Sequence, residues 1–196
     1  MAATGLCFCG FLAMHLIGNL TLYGGEDFFL SYVEHLHSLG YLITVAEWVL
    51  ALFALIHICI GMVLFYENLR ARPIRYVTKK SAGGRSIGSA TAAYTGLFLL
   101  VFVILHLLAF RFVDKTRTND FIVLSQTFSH LGYVVFYVVA VIAAAIHVSH
   151  GFWSGFQTLG LNHPKYMPFI RAVGLLFSIV LGAGFGFIPI YVILTL

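Results

Sequence analysis

Apolar positions divide the chain into five long runs, and polar connections separate them. The runs cover roughly residues 3–23, 40–66, 91–112, 129–154 and 169–195. As helices rising ~1.5 Å per residue, they are long enough to cross a hydrocarbon core ~30 Å thick. None has the polar face that a helix in water needs. We therefore predict an all-α integral membrane protein with five transmembrane helices, forming one domain over residues 1–196.

The composition supports this prediction. Hydrophobic residues make up 61% of the chain and charged residues 9%, whereas a soluble domain has about 25% charged residues. We expect a lipid bilayer as the main partner and no nucleic acid. The first run begins almost at Met1, without a basic leader or a cleavage site before His15, so we expect no secretory signal peptide.

The positive charges predict an orientation. Eight of the eleven Lys and Arg residues lie in the second and fourth connections when Arg171 at the start of the fifth run is included, and three lie in the third when Arg111 at the end of the third run is included. Basic residues accumulate on the cytoplasmic side of a membrane protein. This predicts a cytoplasmic N-terminus and, with five spans, a C-terminus outside.

A repeat organises the first four runs. Thr-Gly-Leu, eight further residues and His-Leu occupy both 4–16 and 95–107. Spans two and four each begin with Leu-Gly-Tyr, at 39–41 and 131–133, and each reaches Ile-His, at 56–57 and 146–147. Two parallel repeats are related by an axis along the membrane normal. We expect two repeated hairpins to form a four-helix bundle, with the fifth helix packed outside it through Gly182 and Gly186.

The repeat contains one histidine in each of the four helices. At ~1.5 Å per residue, His15 and His106 lie ~18 and ~22 Å from the inner end of their spans. His57 and His147 lie ~13 and ~10 Å from that end. Depth therefore pairs His15 with His106 toward the outside, and His57 with His147 toward the inside.

Two facing imidazoles suit the two axial positions of haem iron, so we predict two haem sites. A structural zinc site, which usually has four ligands, and a simple interhelical hydrogen bond are the alternatives. His150 is an alternative to His147 as the ligand on span four, although the repeat favours His147. Candidate haem-pocket residues are three glycines that could admit a flat macrocycle, with three polar residues: Gly18, Gly61, Gly151, Ser149, Ser89 and Arg111.

These residues resemble a known family, the five-helix dihaem cytochrome b subunit of succinate:quinone oxidoreductases. The matching residues are Thr4-Gly5 with His15-Leu-Ile-Gly18-Asn19, His57, His106, and His147-Val-Ser149-His-Gly151 with Trp153. The resemblance implies two b haems, held by the four histidines in the pairs given above. It also implies a prokaryotic cytoplasmic membrane, a flavoprotein and an iron–sulfur partner on the cytoplasmic side, and menaquinone near the outer haem. A dimer of such heterotrimers is one assembly consistent with it.

Quinone chemistry needs a proton acceptor or donor. Glu34 is the first candidate, since it follows an apolar run at the predicted outer interface, and His37 and Glu47 are alternates. A solvated loop acid is the other interpretation of Glu34. The basic connection from Arg70 to Arg85 could neutralise haem propionates, dock soluble subunits or simply reflect orientation.

Two other functions stay open from the sequence. One is the b-type cytochrome anchor of a hydrogenase or formate dehydrogenase. The other is a non-haem membrane protein whose buried histidines relay protons or bind metal ions.

Overall fold

A computed structural model of the protein describes residues 1–71 and 86–195. Its helices are α1 (Ala2–Leu20, followed by a 3₁₀ turn over Thr21–Gly24), α2 (Glu26–Ser38), α3 (Tyr41–Arg70), α4 (Ile87–Phe110), α5 (Asp120–Phe128), α6 (Leu131–Thr158) and α7 (Met167–Thr195). In this part of the chain five helices, α1, α3, α4, α6 and α7, are long and apolar enough to cross a membrane. The predicted all-α fold is confirmed for the described residues, and the five candidate spans agree with a multi-pass membrane protein.

Two short helices, α2 and α5, were not predicted as helices. Gly25 adopts a φ of 94° before α2, whose first turn carries Glu26 and Asp27, and acidic side chains stabilise a helix N-terminus. At the start of α5 the side chain of Asn119 accepts a hydrogen bond from the Ile122 N–H at 2.8 Å, which is a normal N-cap. The two helices contact each other at one end of the bundle, hereafter the α2–α5 end.

Helix α6 is the centre of the packing and contacts α4, α7 and α1. Glycines let these helices approach each other closely, because they have no side chain. A Cβ on Gly88 of α4 would lie 2.7 Å from the Cβ of His150, and one on Gly182 of α7 would lie 3.2 Å from the Cβ of Ala145. Small residues of this kind let membrane helices approach closely.

The fifth long helix, α7, lies against both α6 and α1. Its Leu181, Ile188 and Val192 are buried and belong to the main hydrophobic core. Helix α3 differs, because none of its residues is buried and its main contacts are with α1. The long helices are therefore packed unevenly, with α3 the most exposed.

Part of the predicted basic connection lies outside the described residues, namely Arg72, Arg75, Lys79, Lys80 and Arg85. Its suggested roles stay predictions, as do the haem-binding arrangement of the bundle and the orientation of the termini.

Candidate functional site

The structure brings the four histidines together as two facing pairs. The ring centroids of His15 on α1 and His106 on α4 are 6.0 Å apart. Those of His57 on α3 and His147 on α6 are 6.5 Å apart. These are the pairs that depth along the helices predicts.

Threonine hydroxyls hold the His57–His147 pair. The Thr4 hydroxyl oxygen lies 3.1 Å from Nδ1 of His57, and the Thr95 hydroxyl oxygen lies 3.1 Å from Nδ1 of His147. In each repeat, the Thr of one long helix thus contacts the histidine of the next long helix. The contact is the same in both halves of the molecule.

The glycine after each threonine is close to the same imidazole. A Cβ on Gly5 would lie 3.3 Å from Cε1 of His57, and a Cβ on Gly96 would lie 3.3 Å from Cε1 of His147. That distance is tighter than ordinary contact, so a side chain here would push the ring. The repeated Thr-Gly therefore forms a support for a histidine, which hereafter we call the Thr-Gly support.

The His15–His106 pair has different neighbours. Nδ1 of His106 lies 3.3 Å from the hydroxyl of Tyr137. The Asn19 amide donates to the His15 carbonyl at 2.8 Å, and its nitrogen lies 3.5 Å from Nδ1 of His15. Aromatic rings surround this pair within 6 Å of one or other imidazole centroid, namely Phe11, Phe102, Phe110, Phe185 and Tyr137.

His147, and not His150, faces His57. The ring of His150 lies beside Trp153, with centroids 5.0 Å apart, and Arg171 stacks over the same indole at 4.5 Å. This agrees with the register that the repeat favours.

The separation of each pair fits a single shared metal ion. An imidazole nitrogen binds a metal at about 2 Å, so with about 1 Å from nitrogen to ring centre, two rings on one ion are about 6 Å apart. The observed centroid distances are 6.0 and 6.5 Å. Moreover, Nδ1 has a hydroxyl oxygen within 3.3 Å in three of the four rings, those of His57, His147 and His106, and the metal-free nitrogen of a ligating histidine usually donates to such an acceptor. The neighbour of Nδ1 of His15 is the Asn19 amide nitrogen, which is a donor, at 3.5 Å.

The predicted haem-pocket residues are placed as follows. A Cβ on Gly18 would meet the Tyr32 hydroxyl at 2.4 Å, one on Gly61 would meet Met1 at 3.2 Å, and one on Gly151 would meet nothing within 4 Å. The hydroxyls of Ser89 and Ser149 donate to carbonyls of their own chain segment, Ser86 and Ile146. For all five residues, a role in lining a haem pocket stays a prediction.

Two predicted site residues bind each other. Nε of Arg111 donates to one carboxylate oxygen of Glu47 at 2.8 Å, and its terminal nitrogen donates to the other at 3.0 Å. The hydrogen bond to Glu47 raises the pKa of the Arg111 guanidinium above its ordinary value. The pair was not foreseen, since Arg111 was predicted for haem and Glu47 for quinone.

The remaining quinone candidates, Glu34 and His37, are exposed on α2. A cavity of about 630 Å³, open to the surface, lies at the α2–α5 end between the last turns of α4 and the start of α6. Its lining includes His130, Tyr133 and Tyr137. Because the Tyr137 hydroxyl also lies beside Nδ1 of His106, the cavity adjoins the His15–His106 pair.

Sequence reasoning missed Tyr137, Tyr133 and the roles of Thr4 and Thr95. The repeated Thr-Gly was a signal for the last two, since it recurs at a fixed distance from the histidines. No such signal marks Tyr137 and Tyr133 among the many aromatic residues. Comparisons with protein-family models, with curated proteins and with solved structures find no match to this chain.

Proposed function

We propose that this chain is a dihaem cytochrome b, the membrane anchor of a succinate dehydrogenase or fumarate reductase complex. In this proposal it carries electrons between menaquinone and an iron–sulfur partner. One observation carries the proposal: four long helices each supply one imidazole, and these imidazoles lie as two close pairs at separations that suit one shared iron per pair. Membrane-embedded polar groups of this kind are costly and usually functional.

In this proposal the His15–His106 pair and the His57–His147 pair would each hold one b haem. When bound, haem supplies an iron that accepts and releases one electron at a time. The chain itself would supply two histidine nitrogens per site, and hydroxyl groups contact Nδ1 of His57, His147 and His106. Aromatic side chains keep water from the His15–His106 site.

The cavity beside Tyr137 is the proposed place for the quinone ring. Its volume, about 630 Å³, lies within the usual range for a small-molecule site, which is about 300–1,000 Å³. Most of its lining is apolar, and His130 and Tyr133 add polar atoms that can exchange protons with a quinol. Glu34, His37 and Glu47 mark the alternative positions for the quinone.

Menaquinol oxidation by the purified complex distinguishes these locations. If the cavity is the site, Tyr133→Phe and His130→Ala lower the quinol-dependent rate, whereas Glu34→Gln and His37→Ala leave it unchanged. The opposite pattern would place the quinone at α2 instead. Dye-dependent activity of the attached soluble subunits controls for assembly in each variant.

The haem proposal is tested by a reduced-minus-oxidised spectrum and a haem count on the purified protein. We expect two b haems per chain, and fewer than two would overturn the proposal. The proteins that co-purify decide the complex. A flavin-containing partner supports the succinate dehydrogenase assignment, and a hydrogenase or formate dehydrogenase partner would replace it.

A further inference from the structure

The hydroxyl protons of Thr4 and Thr95 are already used by the helix backbone. The Thr4 hydroxyl donates to the Met1 carbonyl at 2.8 Å. The Thr95 hydroxyl donates to the Thr91 carbonyl at 3.0 Å and approaches that of Ala92 at 3.2 Å. A hydroxyl has one proton to donate and two lone pairs with which to accept. With that proton directed at a backbone carbonyl, each threonine oxygen is free to accept from the imidazole it touches.

This count of protons fixes the tautomer of two histidines. If the threonine oxygen accepts, Nδ1 of His57 and of His147 must carry the proton, at 3.1 Å in both cases. In a neutral imidazole the other nitrogen, Nε2, then has a free lone pair. That is the form which a metal ligand requires.

We propose that Thr4 and Thr95 are positioning residues, which fix the tautomer and ring orientation of His57 and His147 so that both present Nε2 to one haem iron. This inference rests on the proposed function, because it assigns a role toward the proposed haem. The adjacent glycines complete the support, since Gly5 and Gly96 let each ring lie against the helix backbone.

The same proton count does not fix the other pair. The Asn19 amide nitrogen is a donor already directed at the His15 carbonyl, and 3.5 Å from Nδ1 it is at the limit of a hydrogen bond. The Tyr137 hydroxyl has Nδ1 of His106 as a neighbour and can donate or accept. The Thr-Gly support thus acts on one haem site only, which gives the inference an internal control.

The expected consequence is a change in one redox potential. A hydrogen bond from Nδ1 raises the basicity of a ligating imidazole, which favours ferric over ferrous iron. Removing the acceptor therefore shifts the midpoint potential of that haem upward. Loss of such a partner also weakens metal binding by roughly 10- to 100-fold.

Thr95→Ala and Thr95→Ser form the matched pair for the test, because both lose the methyl group and only alanine loses the hydroxyl. Thr91→Ala is the location control, since the Thr91 hydroxyl lies one turn earlier on α4 and donates to the Ile87 carbonyl at 2.8 Å. Redox titration and low-spin ferric electron paramagnetic resonance are measured on the purified complex. His147→Ala identifies which of the two signals belongs to the His57–His147 site.

We expect Thr95→Ala to raise the potential of that haem alone and to weaken its retention. Thr95→Ser and Thr91→Ala should match the unaltered protein. If two haems are present but Thr95→Ala titrates like Thr91→Ala, or if both potentials move together, the inference is wrong while the proposed function stands. If Thr95→Ala and Thr95→Ser lose the haem alike, the hydroxyl is not responsible and the inference is also wrong. If the unaltered protein holds fewer than two haems, the proposed function fails first.

Discussion

The two histidine pairs have similar separations, 6.0 and 6.5 Å between ring centroids, but different surroundings. His57 and His147 each touch a threonine hydroxyl at 3.1 Å and a close-lying glycine. His15 and His106 lie among aromatic rings, and only His106 has a hydroxyl neighbour, Tyr137 at 3.3 Å. One pair is held by polar groups that repeat, and the other by groups that do not.

The repeat explains this difference. The Thr-Gly support has two copies because 4–16 and 95–107 share one pattern. Asn19 follows His15 by four residues, but the same position after His106 is Phe110. Tyr137 precedes His147 by ten residues, but the same position before His57 is Glu47, which binds Arg111 instead of a histidine. Histidines at equivalent positions of the two repeats can therefore have different polar neighbours.

Removing a ligand should have the largest effect. His106→Ala should remove one haem and stop quinol-dependent turnover, because it deletes one axial nitrogen of the pair beside the proposed quinone cavity. The other haem and the dye-dependent activity of attached soluble subunits should survive. Haem quantification and the two assays measure this.

The reciprocal variant His147→Ala should remove the other haem. Loss of both haems in either variant would contradict the assignment of one haem to each histidine pair. In that case the pairs would be wrong or the two sites would assemble as one unit.

Crowding the Thr-Gly support should have the next largest effect. Gly5→Ala places a Cβ 3.3 Å from Cε1 of His57, and forcing a side chain into a packed site costs about 1–3 kcal/mol. We expect a shifted spectrum for the His57–His147 haem and a lower thermal stability.

Gly10→Ala is the matched control on the same helix, because a Cβ there meets nothing within 4 Å. Both variants gain the same helix propensity from alanine, so their difference isolates the contact with His57. Equal spectra and equal melting temperatures would show that the glycine does not support the ring.

Removing the Tyr137 hydroxyl should have a smaller effect. Tyr137→Phe keeps the buried ring and deletes the contact with His106, which is worth about 1 kcal/mol as a neutral hydrogen bond. We expect both haems to remain and the potential of the His15–His106 haem alone to shift. A shift of the other haem would contradict the separation of the two sites.

Breaking the ion pair between Glu47 and Arg111 should have the smallest effect. Both side chains are more than one-third exposed, and exposed ion pairs contribute about 0–1 kcal/mol. We therefore expect Glu47→Gln to change thermal stability little and to leave quinol turnover intact. Turnover that falls while stability and haem content stay constant would restore Glu47 as the quinone acid, and Arg111→Gln then serves as the control for the lost pair.

Much of the architecture could be predicted from the sequence, because hydrophobic length is a local property. The five spans and their histidines follow from runs of apolar residues and from the helical rise. The short helices α2 and α5 were missed, because their apolar residues alone do not distinguish a surface helix from a loop. Their caps, Gly25 and Asn119, became recognisable only once the backbone around them was known.

The apolar runs and the repeat were enough to predict which histidines could be ligands and how far along its helix each one lies. The groups that each ring contacts could be seen only in the fold, because the partners are distant in sequence. Thr4 and His57 are 53 positions apart, and Thr95 and His147 are 52 positions apart. Such contacts depend on how two helices are rotated against each other, and helix rotation is set by packing across the whole bundle. The spacing of the repeated Thr-Gly could be read from the chain, but its contact with the histidine of the following long helix required the fold.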